Sequence, residues 1–174
     1  MGGVNLDQRT ASYRGLVMAG IEGCNRYNFG PVQYSQSEYW TMVLGMVPKL
    51  FRNRLKYGRF LDVLITHAPP WGIHDLTDLA HQGIKSFRWL LDVFKPYYHF
   101  HGHVHHYKTM GIRETLYKET LVINAYGYRE VLIRPGGRLV PVVTPPEAGS
   151  PPAGEPRSKN GEAGPPDSGA PQSG

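Results

Sequence analysis

Apolar residues fall along this chain in short bounded runs and in longer periodic stretches. The run Gly15-Leu-Val-Met-Ala-Gly-Ile21 is bounded by glycines and predicts a buried strand. Asn25 to Tyr34, with Gly30-Pro31, predicts a loop. Ser35 followed by Glu38 has the capping-box pattern of a helix start. Beyond it Trp40, Val43, Leu44, Val47, Leu50 and Phe51 recur at helical spacing, and Pro48 predicts a kink or a second helix start. Asp62 to Thr66 predicts a second buried strand, broken by His67-Ala-Pro-Pro-Trp71. Ile84, Phe87, Leu90, Leu91 and Phe94 give another amphipathic helix, ended by Pro96. Strands follow at Tyr97–His101 and Thr120–Ala125. Glu130–Arg134 and Arg138–Val143 flank Pro135-Gly-Gly137 as a hairpin. Strand, helix, strand, helix, strand and closing antiparallel strands make an α/β chain.

Composition divides the chain. The 174 residues suit one domain with a real core. From Pro145 to Gly174 there are 8 Pro and 6 Gly, no aromatic residue and no Val, Ile, Leu or Met. Such a stretch cannot offset its chain entropy by burial, so residues 145–174 are expected to be a disordered tail. The chain has 19 basic and 14 acidic residues, and the tail holds 2 and 4 of them, leaving 17 against 10 in residues 1–144. One cysteine, Cys24, excludes an intrachain disulfide framework. The first residues show no secretory signal pattern, and no apolar run approaches the ~18 residues of a membrane span. The expectation is a cytoplasmic chain with no membrane partner.

All 8 histidines lie between His67 and His106. Neutral imidazole is a common ligand of divalent transition metals. His103 and His105, one residue apart beside Gly102, can reach toward one place, and His67 can converge there from another strand end. Pro69-Pro70 stiffens the loop that aims His67. These three form the expected metal set, with occupancy falling below about pH 6.5 as imidazole protonates. His74, His81 and His99 suit ordinary packing roles. For His101 and His106 two readings stand: packing, or support of the site by His101 and substrate contact by His106.

Thr66-His67-Ala-Pro-Pro70 and Gly102-His103-Val104-His105, in this order, resemble two motifs of the calcineurin-like metallophosphoesterase superfamily. The Thr120–Ala125 strand and the Gly15–Tyr39 segment resemble that family as well, so the likeness spans residues 4–143. It implies packed β-sheets flanked by helices, here an incomplete αββα sandwich. It implies a hydrolase of phosphoric esters in which two divalent ions of Mn, Fe, Zn or Mg type hold a bridging hydroxide that attacks phosphorus. By the same resemblance His67 and His103 serve one metal and His105 the other.

The family's Asp-x-His, Gly-Asp and Gly-Asn-His motifs have no counterpart here. Asp7 is followed by Gln8-Arg9, and Asn25 by Arg26. The chain therefore resembles the C-terminal half of such a domain, with the other half supplied elsewhere as a complementing partner or lost. Three imidazoles without carboxylates are expected to hold one ion and to turn over phosphoesters poorly. The alternative is a non-catalytic remnant, or a basic module that binds metal, phosphate or nucleic acid.

Arg26 and Asn28, with Tyr27 between them, are candidates to line the substrate side, or to pack a turn. Cys24 reads as a buried thiol, Asp78 as a cap for the following helix, and Asn124 as a backbone-bonding residue. Lys49, Arg52, Lys56 and Arg59 are expected on one helical face, as a solvated surface or a site of phosphate attraction. The sequence leaves substrate and metal identity open.

Overall fold

The computed structural model describes residues 3–105, 113–127 and 130–133. An N-terminal hairpin joins strand β1 (Arg9–Tyr13) to β2 (Leu16–Ile21). Its two-residue turn places Arg14 and Gly15 in left-handed backbone, with φ of 48° and 79°, as tight hairpins demand. Strand β1, with the sequence RTASY, lacks the apolar alternation of a half-buried strand, which is why the hydrophobic pattern misses it. Its polar character suits a sheet edge. Two short parallel strands, β3 (Cys24–Asn25) and β4 (Gln33–Tyr34), pin both ends of the expected 25–34 loop.

Helix α1 (Gln36–Tyr57) opens on the expected capping box: Glu38 N–H donates to the Ser35 hydroxyl, and Ser35 N–H donates to the Glu38 carboxylate. That exchange, with Arg26, holds the Glu38 carboxyl down at about 2. The helix runs unbroken through Pro48. An interior proline costs about 3 kcal/mol, and buried Met46 and Leu50 on either side of it offset that cost. Its core face is Tyr39, Val43, Met46, Leu50 and Asn53, which shares Val43 and Leu50 with the expected stripe. Leu44 and Phe51 are exposed. Tyr39 sets the rotation, since its hydroxyl donates to the Glu22 carbonyl and its ring packs edge-on against Phe87. The expected basic face divides. Arg59 lies beyond the helix and pairs with buried Asp62, and Lys49 donates to the Gln8 carbonyl.

Strand β5 (Val63–Thr66), helix α2 (Lys85–Phe94), β6 (Tyr98–His101), β7 (Glu114–Tyr117) and β8 (Thr120–Asn124) complete the elements. One six-stranded mixed sheet has the order β1-β2-β5-β6-β8-β7. The four central strands are parallel, and the two edges are antiparallel hairpin strands. Steps from β2 to β5 to β6 run in one direction, so right-handed crossovers place both helices on one face. Their side chains share a core with Ala19, Ile21, Leu64 and Val122. Positions of opposite parity, Val63, Tyr98, Leu121 and Ile123, cluster on the other face with Val131 and Ile133.

The α/β class read from the sequence is the observed one. Residues 130–133 carry no strand, where one arm of a hairpin is expected. Val131 and Ile133 pack against the apolar cluster on the sheet face away from the helices. The other arm of that hairpin and the tail from Pro145 lie outside the described residues. No helix among the described residues is long and apolar enough to cross a membrane.

Candidate functional site

The parallel strands end together, and the chemistry sits where they end. His67 follows β5 directly, and Gly102-His103 follows β6. Gly102 N–H donates to the His67 carbonyl at 3.0 Å, so the two turns are tied through the backbone. Asn124, buried at the end of β8, donates from its amide to the Val104 carbonyl at 2.9 Å and accepts from Tyr126 N–H. It therefore bonds backbone, as its position suggested, and braces the turn that carries His103. His103 itself has φ of 64°, a left-handed conformation uncommon outside glycine and found at functional turns.

His103 Nδ1 lies 3.0 Å from His67 Nε2. His103 Nε2 faces the Ala80 carbonyl at 2.7 Å. A carbonyl only accepts, so the His103 proton is on Nε2, and the Nδ1 lone pair points at His67. Burial, and then the neighbouring rings of His103 and His105, hold His67 below the ordinary imidazole value. Burial also holds His103 down, against the opposing pull of the Ala80 carbonyl. Both rings therefore favour the neutral form that binds cations.

These two nitrogens fit one divalent ion. Imidazole nitrogens bound to one ion at about 2.1 Å stand roughly 3.0–3.4 Å apart. The Ala80 carbonyl supplies the outer hydrogen bond that fixes a ligand's tautomer. His105 is exposed and stacks on Tyr126, with ring centroids 4.5 Å apart. It stands near enough to depress His67 and His103 electrostatically. Among the described residues no group of three or more His, Cys, Asp or Glu is arranged to hold a metal ion. The present residues thus fit an ion at His67 and His103, and they do not assemble the carboxylate-bridged pair that the resemblance implies.

His99, His101 and His74 tie strand ends to their neighbours. His99 is fully buried, and its Nε2 meets the Thr66 hydroxyl at 2.8 Å. The same hydroxyl lies 2.6 Å from the Ala68 carbonyl. With the hydroxyl donating to that carbonyl, His99 Nε2 is the donor to Thr66. His99 Nδ1 is left buried without a hydrogen-bond partner. His101 Nε2 meets His74 Nδ1 at 2.9 Å, and His74 Nε2 meets the Thr115 hydroxyl at 2.8 Å. His81 pairs with Asp78 at 2.8 Å, and its ring lies 5.0 Å from that of His103. Asp78 therefore caps no helix. It closes its own turn on His81, because α2 begins only at Lys85, after Ile84.

An open cleft of about 530 Å³ borders the histidine pair. Glu22, Gly23, Cys24, Tyr27, Pro31, Val32 and Gln33 form the rest of its lining. Arg26 and Asn28 are not among those residues. Arg26 is bound to Glu38 at 2.9 Å, and Asn28 accepts from Gly30 N–H at 2.7 Å within its own turn. Both therefore hold the loop that carries Tyr27. Cys24 is buried, and burial pushes its thiol up. His106 lies outside the described residues. Sequence reasoning gave His81 an ordinary packing role and passed over the Ala80 carbonyl. The Asp78-x-x-His81 spacing was a legible signal for the first, whereas a backbone carbonyl leaves none.

No family model matches the chain, and no curated protein does. Among solved structures, one is 22% identical and covers 69% of this chain and 44% of its own, with a TM-score of 0.47. Another is TT1561 of Thermus thermophilus, 14% identical, covering 70% of this chain and 48% of its own, with a TM-score of 0.45. The chain thus spans less than half the length of either structure.

Proposed function

We propose that this chain forms part of a metal-dependent site for hydrolysis of phosphoric esters, centred on His67 and His103 with His105 beside them. One observation carries the reading: two neutral imidazoles from separate strand ends meet at 3.0 Å, and the outer nitrogen of His103 is held by a carbonyl. A divalent ion bound there supplies Lewis acidity toward phosphoryl oxygens. The chain's own part is to hold that ion and to present the ester. His67 and His103 bind, the Ala80 carbonyl fixes the proton of His103, and the bond from Gly102 to the His67 carbonyl keeps the two turns in register. The cleft beside them receives the organic part of the ester.

A second reading is a site that binds an ion and phosphate without turnover. It is favoured by the absence, among the described residues, of a third grouped ligand. Calorimetric titration with Zn²⁺ and Mn²⁺, alongside hydrolysis of bis(p-nitrophenyl) phosphate, separates the two. Ion binding with turnover, both abolished in His103→Ala, supports the hydrolase. Ion binding without turnover supports the second reading. Binding unchanged in His67→Ala and His103→Ala overturns both.

A further inference from the structure

Part of the cleft lining that accompanies the two imidazoles is apolar, and the loop that carries it is locked. Tyr27, Pro31 and Val32 line the space beside His67 and His103. The Gln33 side-chain oxygen accepts from the backbone N–H of Tyr27 and of Asn28, each at 3.2 Å. The Asn28 oxygen accepts from Gly30 N–H and from the Gln33 amide, each at 2.7 Å. Arg26 reaches the Gln33 carbonyl and Glu38. Val32 has φ of 57°, a true outlier for a β-branched residue and the kind of strain that gathers at functional sites. Yet this ordered loop holds Tyr27 and Val32 about half exposed, at 48% and 45%. Polar bonds, strain and exposed apolar surface together describe a preformed contact surface.

Its chemistry limits what can lie on it. A tyrosine ring beside proline and valine suits a flat apolar partner, because aromatic pairs gain from stacked or edge contacts beyond area burial. The charged side chain on this side of the lining is the Glu22 carboxylate, which repels an arm bearing further negative charge. We propose that Tyr27, Pro31 and Val32 form a subsite for an uncharged, planar aromatic arm of the phosphoester, so that the site favours aryl-type over alkyl-type esters. This rests on the reading of His67 and His103 as the phosphate-binding end.

The test is calorimetric binding of phenylphosphonate and of methylphosphonate to the full chain with Zn²⁺. The two probes share the anionic group and differ in the arm. Phenylphosphonate is expected to bind about tenfold tighter, the size of one aromatic contact. Tyr27→Ala should erase that preference and leave methylphosphonate unchanged, whereas Tyr27→Phe should keep it, because the ring carries the contact. Equal affinities in the parent chain, or a preference that survives Tyr27→Ala, overturn the subsite. Failure of both probes to bind, or binding indifferent to His67→Ala, overturns the phosphate-binding reading and the subsite with it.

Discussion

His67 and His103 stand 36 residues apart in the chain and 3.0 Å apart in space, ring nitrogen to ring nitrogen. Two lone pairs cannot face each other at that distance without a positive centre between them. In the free chain a proton on His67 supplies it, because the His103 proton is committed to the Ala80 carbonyl. A divalent ion bound by both nitrogens would displace that proton and lie to one side of the line between them. Substituting either histidine by alanine should therefore weaken Zn²⁺ or Mn²⁺ binding by more than the ~10–100-fold that loss of an outer partner costs. His74→Ala, away from the pair, should change it much less. Equal losses in all three variants would show that the effect is general destabilisation.

The pH dependence of that binding has a defined direction. Burial is the first cause that holds His67 and His103 below the ordinary imidazole value. Both rings thus stay neutral to lower pH than free imidazole does. Ion binding should persist below about pH 6.5 and fall only as the pH approaches the depressed values. Titrations from pH 7.5 to 5.0 measure this. A midpoint at or above 6.5 would contradict the depression of the two rings.

His99 extends the argument to stability. It is fully buried, and burial is the first cause that drives it well below its ordinary value. The folded state therefore holds it neutral, while the unfolded chain takes up a proton near pH 6.5. Between those two values the unfolded state binds more protons, so stability is full above about 6.5 and is lost as pH falls from there. Urea midpoints should be higher at pH 7.5 than at pH 5.5. His99→Phe should narrow the gap, and an unchanged gap would assign it to other groups.

Asp62 ties the start of β5 to the start of β2, close to the end of α1. It is completely buried, accepts from Val17 N–H at 2.6 Å, and pairs with Arg59 Nε at 2.5 Å. Arg59 also reaches the Gly15 carbonyl. Asp62→Ala leaves a buried N–H and a partly buried guanidinium without their shared acceptor. Such a loss costs about 3 kcal/mol, readable from the urea midpoint. A loss under about 1 kcal/mol would mean that water replaces the carboxylate.

Apolar period and caps make most of the elements legible in the sequence. The Ser35–Glu38 box, the run up to Ile21 and the Phe87–Phe94 stripe each state a local preference that tertiary packing also satisfies. Strand β1 stayed hidden because an edge strand needs no apolar alternation. The exact rotation of α1 stayed hidden because Val43 and Leu50 belong to two overlapping apolar stripes, and the contacts of Tyr39 choose between them. At the site, strand ends and glycine placed His67 and His103, since those features speak to backbone direction. The loop was harder. Arg26 and Asn28 have the polar groups expected of a substrate contact, yet they commit them to Glu38 and to their own turn. Tyr27, named with them, is delivered to the cleft by the resulting loop, together with Pro31, Val32 and Gln33.

Gly23 links that loop to the rest of the fold, and it gives the sharpest structural test of the cleft. Its φ is +84°, and a Cβ there would stand 2.6 Å from the Val32 carbonyl oxygen and 2.8 Å from the Tyr34 ring. The backbone oxygen cannot yield without breaking the bond it accepts from Cys24 N–H. Gly23→Ala should cost roughly 1–3 kcal/mol, from the left-handed backbone and the overpacking together. The strain should fall first on the short β3–β4 pair. Cys24, the single cysteine of the chain, is 8% exposed in that pair. Its labelling by a thiol reagent under native conditions should therefore speed up in Gly23→Ala. Gly58→Ala is the control, since Gly58 also has positive φ, at +74°, but a Cβ there meets nothing within 4 Å. It should lose about 1 kcal/mol and leave the labelling rate unchanged. Equal labelling rates in the two variants would mean that Gly23 does not govern the loop, and the cleft would owe its shape to the Asn28 and Gln33 bonds alone.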